Sequence, residues 1–151
     1  MKAKRCLSLL MGTLIATAAM TAVAGDAPPM PSAETDALAS ARSLITARNW
    51  PAALAELQRI NTPRSADWNN LMGYSHRKMK TPDYAAAERY YDAALRIEPQ
   101  HRGALEYSGE LYLLLNKLPL AEARLQTLGA ACAKQCEEYA DLAKAIAAFK
   151  K

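Results

Sequence analysis

Small and large apolar residues recur along the chain at the spacing of one helix face. Three segments each carry a small residue and, four positions later, a large apolar one: Ala53 and Leu57, Ala87 and Tyr91, Ala121 and Leu125. Residues four apart lie on the same face of an α-helix, so each pair predicts a helix with a narrow apolar face. Alanine is frequent and β-branched residues are sparse, which favours closely packed helices over strands. The pattern therefore predicts an all-α fold.

The same segments are separated by a constant interval of 34 residues. Four columns of matched positions follow this interval: Trp50, Tyr84 and Leu118; Ala53, Ala87 and Ala121; Leu57, Tyr91 and Leu125; Ile60, Ala94 and Leu128. An internal period of this length is typical of stacked helix-turn-helix units, each of which buries its apolar face against its neighbours. We predict three units, at residues 33–64, 65–99 and 100–128.

Turn residues separate the predicted helices. The segment Thr81-Pro82-Asp83 suits an N-cap at Thr81 with Pro82 at the first helical position, where a missing N–H costs little. Gly109 lies on the apolar face of the first helix of the third unit, at a position where another helix can approach closely. These features predict short turns and one tight helix crossing.

Residues 129–151 form the predicted end of the array. A corner containing Cys132 and Cys136 precedes a helix from Glu137 to Lys150. That helix carries one apolar stripe, made of Tyr139, Leu142, Ala143, Ile146 and Phe149. An amphipathic last helix would cover the apolar face of the third unit, so we predict that it caps the array.

The repeated units resemble the tetratricopeptide repeat family, whose signature runs through a large residue, Leu-Gly, Tyr, Ala, an aromatic residue and Pro. The middle unit supplies Trp68, Leu71, Gly73, Ala87, Tyr91 and Pro99; the third supplies Leu105, Gly109, Tyr112, Ala121 and Leu125; the first supplies Ala41, Leu44, Ala53, Leu57 and Pro63. The resemblance implies a right-handed superhelix of three helical hairpins with a concave groove for a protein or peptide. The segment around Cys132 and Cys136 is similar to that of small exported bacterial repeat proteins.

The resemblance also implies that the first helix of each unit lines the groove. On each of these helices, residues three or four positions apart form a stripe beside the packing residues. The stripes are Leu38, Arg42 and Ile45 in the first unit, Asn70, Tyr74 and Arg77 in the second, and Glu106, Glu110 and Leu113 in the third. The alternative is that these are ordinary solvated helix faces. Two arginines against two glutamates predict a groove of mixed sign, whose partner carries both charges or an apolar anchor.

The first 24 residues have the order of a secretory signal peptide. Lys2, Lys4 and Arg5 precede an apolar stretch that ends near Met20, and a small-x-small site ends at Ala24. The apolar stretch is shorter than the roughly 20 residues of a membrane span, so a permanent anchor is the weaker alternative. We expect cleavage after Ala24, a flexible linker over residues 25–32, and a mature protein in the periplasm of a Gram-negative cell.

Cleavage of the signal peptide changes the net charge and the number of cysteines of the mature protein. The formal net charge of +4 comes from 19 Lys and Arg against 15 Asp and Glu; the signal segment holds three of those bases, so the mature balance is 16 to 15. A net charge near zero does not support nucleic-acid binding. Cys132 and Cys136 remain, and in an oxidising compartment they predict a disulfide. A redox-active or metal-binding pair and two free thiols are the alternatives.

No catalytic pattern is visible in the sequence. His76 and His101 have no nucleophile, carboxylate or second ligand at a recognisable spacing, and glycine-rich phosphate loops and HExxH are lacking. We therefore expect a non-enzymatic binding module or scaffold that uses no cofactor and no metal, with an unidentified protein or peptide partner. The alternatives are a redox or metal-handling accessory protein that uses Cys132 and Cys136, and self-assembly into a homo-oligomer.

Overall fold

The computed structural model of the protein describes the backbone of residues 33–151 and the side chains from residue 37 onward. This part of the chain forms helices and no β-strand. The helices are α1 (Ala33–Thr46), α2 (Trp50–Ile60), α3 (Ala66–Lys78), α4 (Tyr84–Ile97), α5 (Arg102–Leu114), α6 (Leu118–Cys132) and α7 (Glu137–Phe149). The all-α prediction is confirmed for these residues. The predicted signal peptide and linker, residues 1–32, lie outside the described residues.

Each helix packs against its neighbours in the chain. α1 packs on α2, α3 on α4 and α5 on α6, while α2 also contacts α3 and α4 contacts α5. α1 additionally contacts α3, and α3 contacts α5, so these odd-numbered helices lie side by side. α7 packs on both α5 and α6. None of the helices over residues 33–151 has the length and apolar character needed to cross a bilayer.

Five of the six small and large residues that define the predicted apolar faces are buried, and the sixth, Leu125, is partly buried. Ala53, Ala87 and Ala121 are each fully buried, as are Leu57 and Tyr91. Small residues at these positions let neighbouring helices approach closely, and their large partners fill the space between. Burial of all three alanines confirms that the 34-residue interval selects core positions.

The start of α4 differs from the prediction. The helix begins at Tyr84, and Asp83 rather than Thr81 is its N-cap; Pro82 lies outside the helix. The Asp83 carboxylate accepts a hydrogen bond from the backbone N–H of Ala86 at 2.8 Å. An ionised carboxylate satisfies a free N–H and also interacts favourably with the positive end of the helix, which explains why the aspartate is the cap.

Gly109 lies at a close crossing of α5 and α7, as predicted. A Cβ atom at this position would lie 2.6 Å from Cδ2 of Leu142, a fully buried residue of α7. Gly73 of α3 has a similar role, because a Cβ there would lie 2.8 Å from the ring of Tyr91. Both glycines permit a close approach that alanine would obstruct.

A disulfide closes the corner between α6 and α7. Cys132 ends α6 and Cys136 precedes α7, with their Cα atoms 5.8 Å apart. Between them Ala133 and Lys134 both have positive φ, of 51° and 63°. Such left-handed conformations cost about 1 kcal/mol or more for residues other than glycine, so a covalent link helps to hold this tight turn. The predicted pairing of the two cysteines is confirmed.

Candidate functional site

The side-by-side packing of α3 and α5 brings together most of the predicted groove residues. Asn70, Tyr74 and Arg77 follow one face of α3, and Glu106 and Glu110 follow one face of α5. The two faces are in contact: the ring centroids of Tyr74 and Tyr107 lie 4.6 Å apart, and Arg77 contacts Glu110. We call this surface the α3–α5 face.

Arg77 and Glu110 form an ion pair across the α3–α5 face. Nη1 of Arg77 lies 2.7 Å from Oε2 of Glu110, and the arginine side chain is only 3% exposed while the glutamate is 30% exposed. Burial alone would lower the pKa of Arg77, but the Tyr91 hydroxyl and the Glu110 carboxylate more than offset it and leave the pKa raised. The guanidinium is therefore a permanent buried charge in this face.

An aromatic row crosses the same surface. Trp50, at the start of α2, contacts the ring of Tyr74 edge-on at 5.8 Å, and Tyr74 in turn lies against Tyr107 of α5. The Arg77 guanidinium lies 5.5 Å from the centroids of both tyrosine rings, so it supports them from the buried side through cation–π interactions. Burial, together with the charge of Glu106, raises the pKa of Tyr107 to about 12. Its phenol therefore stays neutral and can donate a hydrogen bond.

Sequence reasoning missed Tyr107 and Trp50 as members of this surface. Tyr107 lies three residues before Glu110, so it shares a helix face with a residue that was selected. The sequence placed Trp50 only in a column of repeated positions. Tyr107 could have been found by extending the helical spacing backwards, whereas the position of Trp50 depends on how α2 packs beside α3.

Glu106 is the buried carboxyl group of this face. The residue is 8% exposed. Burial, followed by the neighbouring carboxylates of Glu110, Asp141 and Glu138, raises its pKa to about 8; Arg77 acts in the opposite direction. At neutral pH the group is therefore mainly protonated, which distinguishes it from an ordinary surface glutamate.

A cleft of about 570 Å³ opens where α3 and α5 begin. Its lining includes Arg42, Asp67, Asn70, His101, Arg102 and Glu138. Asp67 contacts Arg42 at 2.7 Å and Nε2 of His101 at 2.9 Å. Nδ1 of His101 accepts from the backbone N–H of Ala104 at 3.1 Å, so a neutral His101 carries its proton on Nε2 and donates it to Asp67. His101 thus caps α5 and lines the cleft.

Asn70 lies between the cleft and the rest of the α3–α5 face. The residue is 6% exposed, and its Oδ1 is buried with no hydrogen-bond partner in the described part of the chain. A buried acceptor without a donor is costly, and such groups are few in folded proteins. Asn70 is therefore a buried polar side chain whose Oδ1 is left without a donor by the described residues.

The remaining predicted groove residues are placed differently. Arg42 reaches the cleft through its contact with Asp67. Leu38 is fully buried in the core against α2, so it does not line an open face as expected. Ile45 and Leu113 are partly buried and pack against core clusters. Their apolar side chains stabilise the helices that carry the face.

Within residues 37–151, no group of three His, Cys, Asp or Glu side chains is arranged to hold a metal ion. His76 stacks on Tyr90, with ring centroids 5.5 Å apart, and burial lowers its pKa.

No protein-family model matches the chain, and no curated protein matches it either. The resemblance to the tetratricopeptide repeat family therefore stays a prediction from the spacing of residues.

Proposed function

We propose that the protein is a non-enzymatic binding module of the tetratricopeptide repeat type that holds a protein or peptide partner on its α3–α5 face. The predicted units 33–64 and 65–99 each contain two helices that pack together. In the third unit, 100–128, α5 packs on α6, which continues to Cys132, and α7 packs on both. Three hairpins in a right-handed superhelix, with α7 as its cap, are part of this proposal.

The observation that carries the proposal is the contact between groove residues selected on two separate helices. Tyr74 and Tyr107 form a half-buried aromatic surface, held from beneath by the ion pair of Arg77 with Glu110. Aromatic side chains and arginine are the residues most often responsible for binding energy at protein interfaces. A surface that is already ordered lowers the entropic cost of association, so it suits recognition of a flexible peptide segment.

We also propose that the chain is exported. The basic, apolar and small-residue order of residues 1–24 supports cleavage before Gly25, and the pairing of Cys132 with Cys136 suits an oxidising periplasm. Intact mass of the protein recovered from the periplasmic fraction tests this. We expect a chain that begins at Gly25, and retention of the first 24 residues would contradict the proposal.

Cross-linking in intact cells, followed by mass spectrometry of the tagged protein's companions, tests the binding function. We expect one dominant protein partner, and we expect its recovery to fall about tenfold or more in Tyr107→Ala. Tyr90→Ala is the matched control, because Tyr90 is also a half-buried tyrosine in edge contact with an aromatic residue of α3, Trp68. Equal losses in the two variants, or recovery of no partner other than the protein itself, would contradict the proposed function.

A further inference from the structure

His101 makes two hydrogen bonds that together require a neutral ring. Its Nδ1 atom accepts from the backbone N–H of Ala104 at 3.1 Å, and its Nε2 atom lies 2.9 Å from Oδ1 of Asp67. Because a carboxylate only accepts, the ring proton is on Nε2, and Nδ1 keeps a free lone pair for Ala104. The side chain is 10% exposed, so water does not readily replace either partner. His101 therefore caps α5 in one protonation state alone.

A second proton on the ring is incompatible with this cap. The proton would bind at Nδ1 and turn the acceptor into a donor that faces the N–H of Ala104. The positive charge would also lie at the positive end of the α5 dipole. The contact with Asp67 would become an ion pair, which holds the ring against α3. The first turn of α5 would then have to move away from the ring.

This first turn, residues 102–105, has little else to hold it. Among the described side chains, only His101 caps α5, and the turn contains no acidic residue. It does contain Gly103, and glycine is a poor helix former. A Cβ atom at Gly103 would lie 2.9 Å from Nδ2 of Asn70, so the turn lies directly against α3. Movement of the turn would therefore change the contact between α3 and α5.

Charged groups from several helices surround the His101 ring. Asp67 favours its protonated form, whereas Arg42 opposes it, because Arg42 shares the Asp67 carboxylate at 2.7 Å. Arg102 and Glu138 lie 3.6 Å apart and largely offset each other. The charged residues that line the cleft with His101 are Arg42 of α1, Asp67 of α3, Glu98 after α4, Arg102 of α5 and Glu138 of α7; α6 contributes Ala131, which is uncharged.

We propose that His101 is a pH-sensitive cap: protonation of its ring between pH 8 and pH 5 opens the first turn of α5, and deprotonation closes it. Histidine is the side chain whose charge ordinarily changes in this range. The device goes beyond the proposed function, because it operates in the free protein. Its effect on a partner rests on the proposed function. Tyr107 follows the opened turn by two residues, so we expect the α3–α5 face to bind its partner less tightly in acid.

NMR of the purified protein tests the protonation state and the cap directly. We expect the ring nitrogen shifts of His101 to show a proton on Nε2 and a bare Nδ1 at pH 8, and protons on both nitrogens at pH 5. Over the same range, protection of the Ala104 amide from exchange with water should fall about fivefold, as expected for loss of an N-cap. Unchanged protection at pH 5, or a proton on Nδ1 at pH 8, would overturn the proposal.

Two histidine variants assign the change to His101. Asparagine is a favoured N-cap and does not titrate, so in His101→Asn we expect protection of the Ala104 amide to be the same at both pH values. His76→Asn is the matched control, because His76 is the other histidine of the chain and stacks on Tyr90, away from the cap. It should behave like the natural protein. An equal fall in His101→Asn would show that another group opens the turn.

Asp67→Asn tests the counter-charge. The amide cannot form an ion pair with a protonated ring, so we expect the loss of Ala104 protection to move to lower pH by on the order of one unit. A transition at an unchanged pH would refute the role of Asp67 in holding the protonated ring on α3.

Partner affinity separates the pH-sensitive cap from the proposed function. From pH 8 to pH 5 we expect affinity for the partner found by cross-linking to fall about fivefold more in the natural protein than in His101→Asn. Glu106, whose pKa is about 8, titrates in both proteins and cancels in the comparison. Equal falls would refute the coupling of the cap to the face and leave the proposed function standing. A working cap in a protein that recovers no partner would support this inference and refute the proposed function.

Discussion

Arg77 of α3 and Glu110 of α5 are joined by a 2.7 Å ion pair whose two ends are unequally buried. The arginine is almost wholly enclosed, and its Nε and Nη2 groups have no hydrogen-bond partner in the described part of the chain. The glutamate keeps about a third of its side chain in contact with solvent. A charge that cannot reach water depends on its partner far more than one that can, so the two residues are energetically unequal.

Removal of the exposed partner should therefore cost more than its exposure suggests. We expect Glu110→Ala to lower the free energy of unfolding by about 3 kcal/mol, because it leaves a buried guanidinium unpaired. Arg77→Met should cost less, since the remaining Glu110 can be hydrated. The double variant should be more stable than Glu110→Ala alone. Urea denaturation measures all three, and strictly additive losses would show that the pair is not coupled.

Prediction from sequence succeeded where a feature depends on local spacing. The 34-residue interval located the buried alanines, and helical periodicity placed Asn70, Tyr74 and Arg77 on one face of α3. Neither pattern reveals how deeply a side chain is enclosed once helices dock. Leu38, expected to line the groove, is buried by α2 and α3. The burial of such a residue depends on how the helices pack against each other, and the spacing of residues within one helix does not reveal that packing.

The burial of Glu106 shows the same limit at the candidate site. The sequence predicted Glu106 as a charged residue of the groove, and this face does carry both arginine and glutamate side chains. Its raised pKa depends, however, on burial and on Asp141 and Glu138, which α7 carries more than 30 residues further along the chain. The pairing of Arg77 with Glu110 likewise joins residues 33 positions apart. Sequence spacing suggested the participants, but only the folded chain shows which of them interact.

Gly109 should be intolerant of even one extra carbon atom. At an unobstructed helix position Gly→Ala stabilises by up to about 1 kcal/mol. Here the new Cβ would meet Leu142 at 2.6 Å, whereas a Cβ on Gly129 would meet Tyr139 at 3.0 Å. We expect Gly109→Ala to destabilise the protein by about 1–2 kcal/mol and Gly129→Ala to have a smaller effect, as measured by thermal melting. A higher melting temperature for Gly109→Ala would contradict the close crossing of α5 and α7.

Glu106 should make stability fall as the pH rises from about 4.5 to about 8. Its pKa is about 8 in the folded protein against an ordinary value of 4.5. Below 4.5 the group is protonated in both states and contributes nothing. Between the two values the unfolded chain ionises while the folded one stays protonated, so unfolding becomes easier; above about 8 the effect is constant.

Glu106→Gln removes this pH dependence. We expect the variant to match the natural protein at pH 4 and to exceed its stability by on the order of 1 kcal/mol at pH 9, after allowance for solvent screening. Melting temperatures across this range give the comparison, and Glu122→Gln, on the exposed side of α6, is the control. A constant difference between Glu106→Gln and the natural protein at every pH would show that the Glu106 carboxyl titrates normally.

The disulfide between Cys132 and Cys136 can be tested by peptide mapping, because Lys134 lies between the two cysteines. Trypsin should release residues 125–134 and 135–144 as one linked species, which separates into two peptides on reduction. A structural disulfide should also resist mild reductant in the folded protein and contribute about 2 kcal/mol through loop closure. Rapid and reversible reduction, with the melting curve unchanged, would instead favour the redox alternative and move the candidate chemistry from the α3–α5 face to this corner.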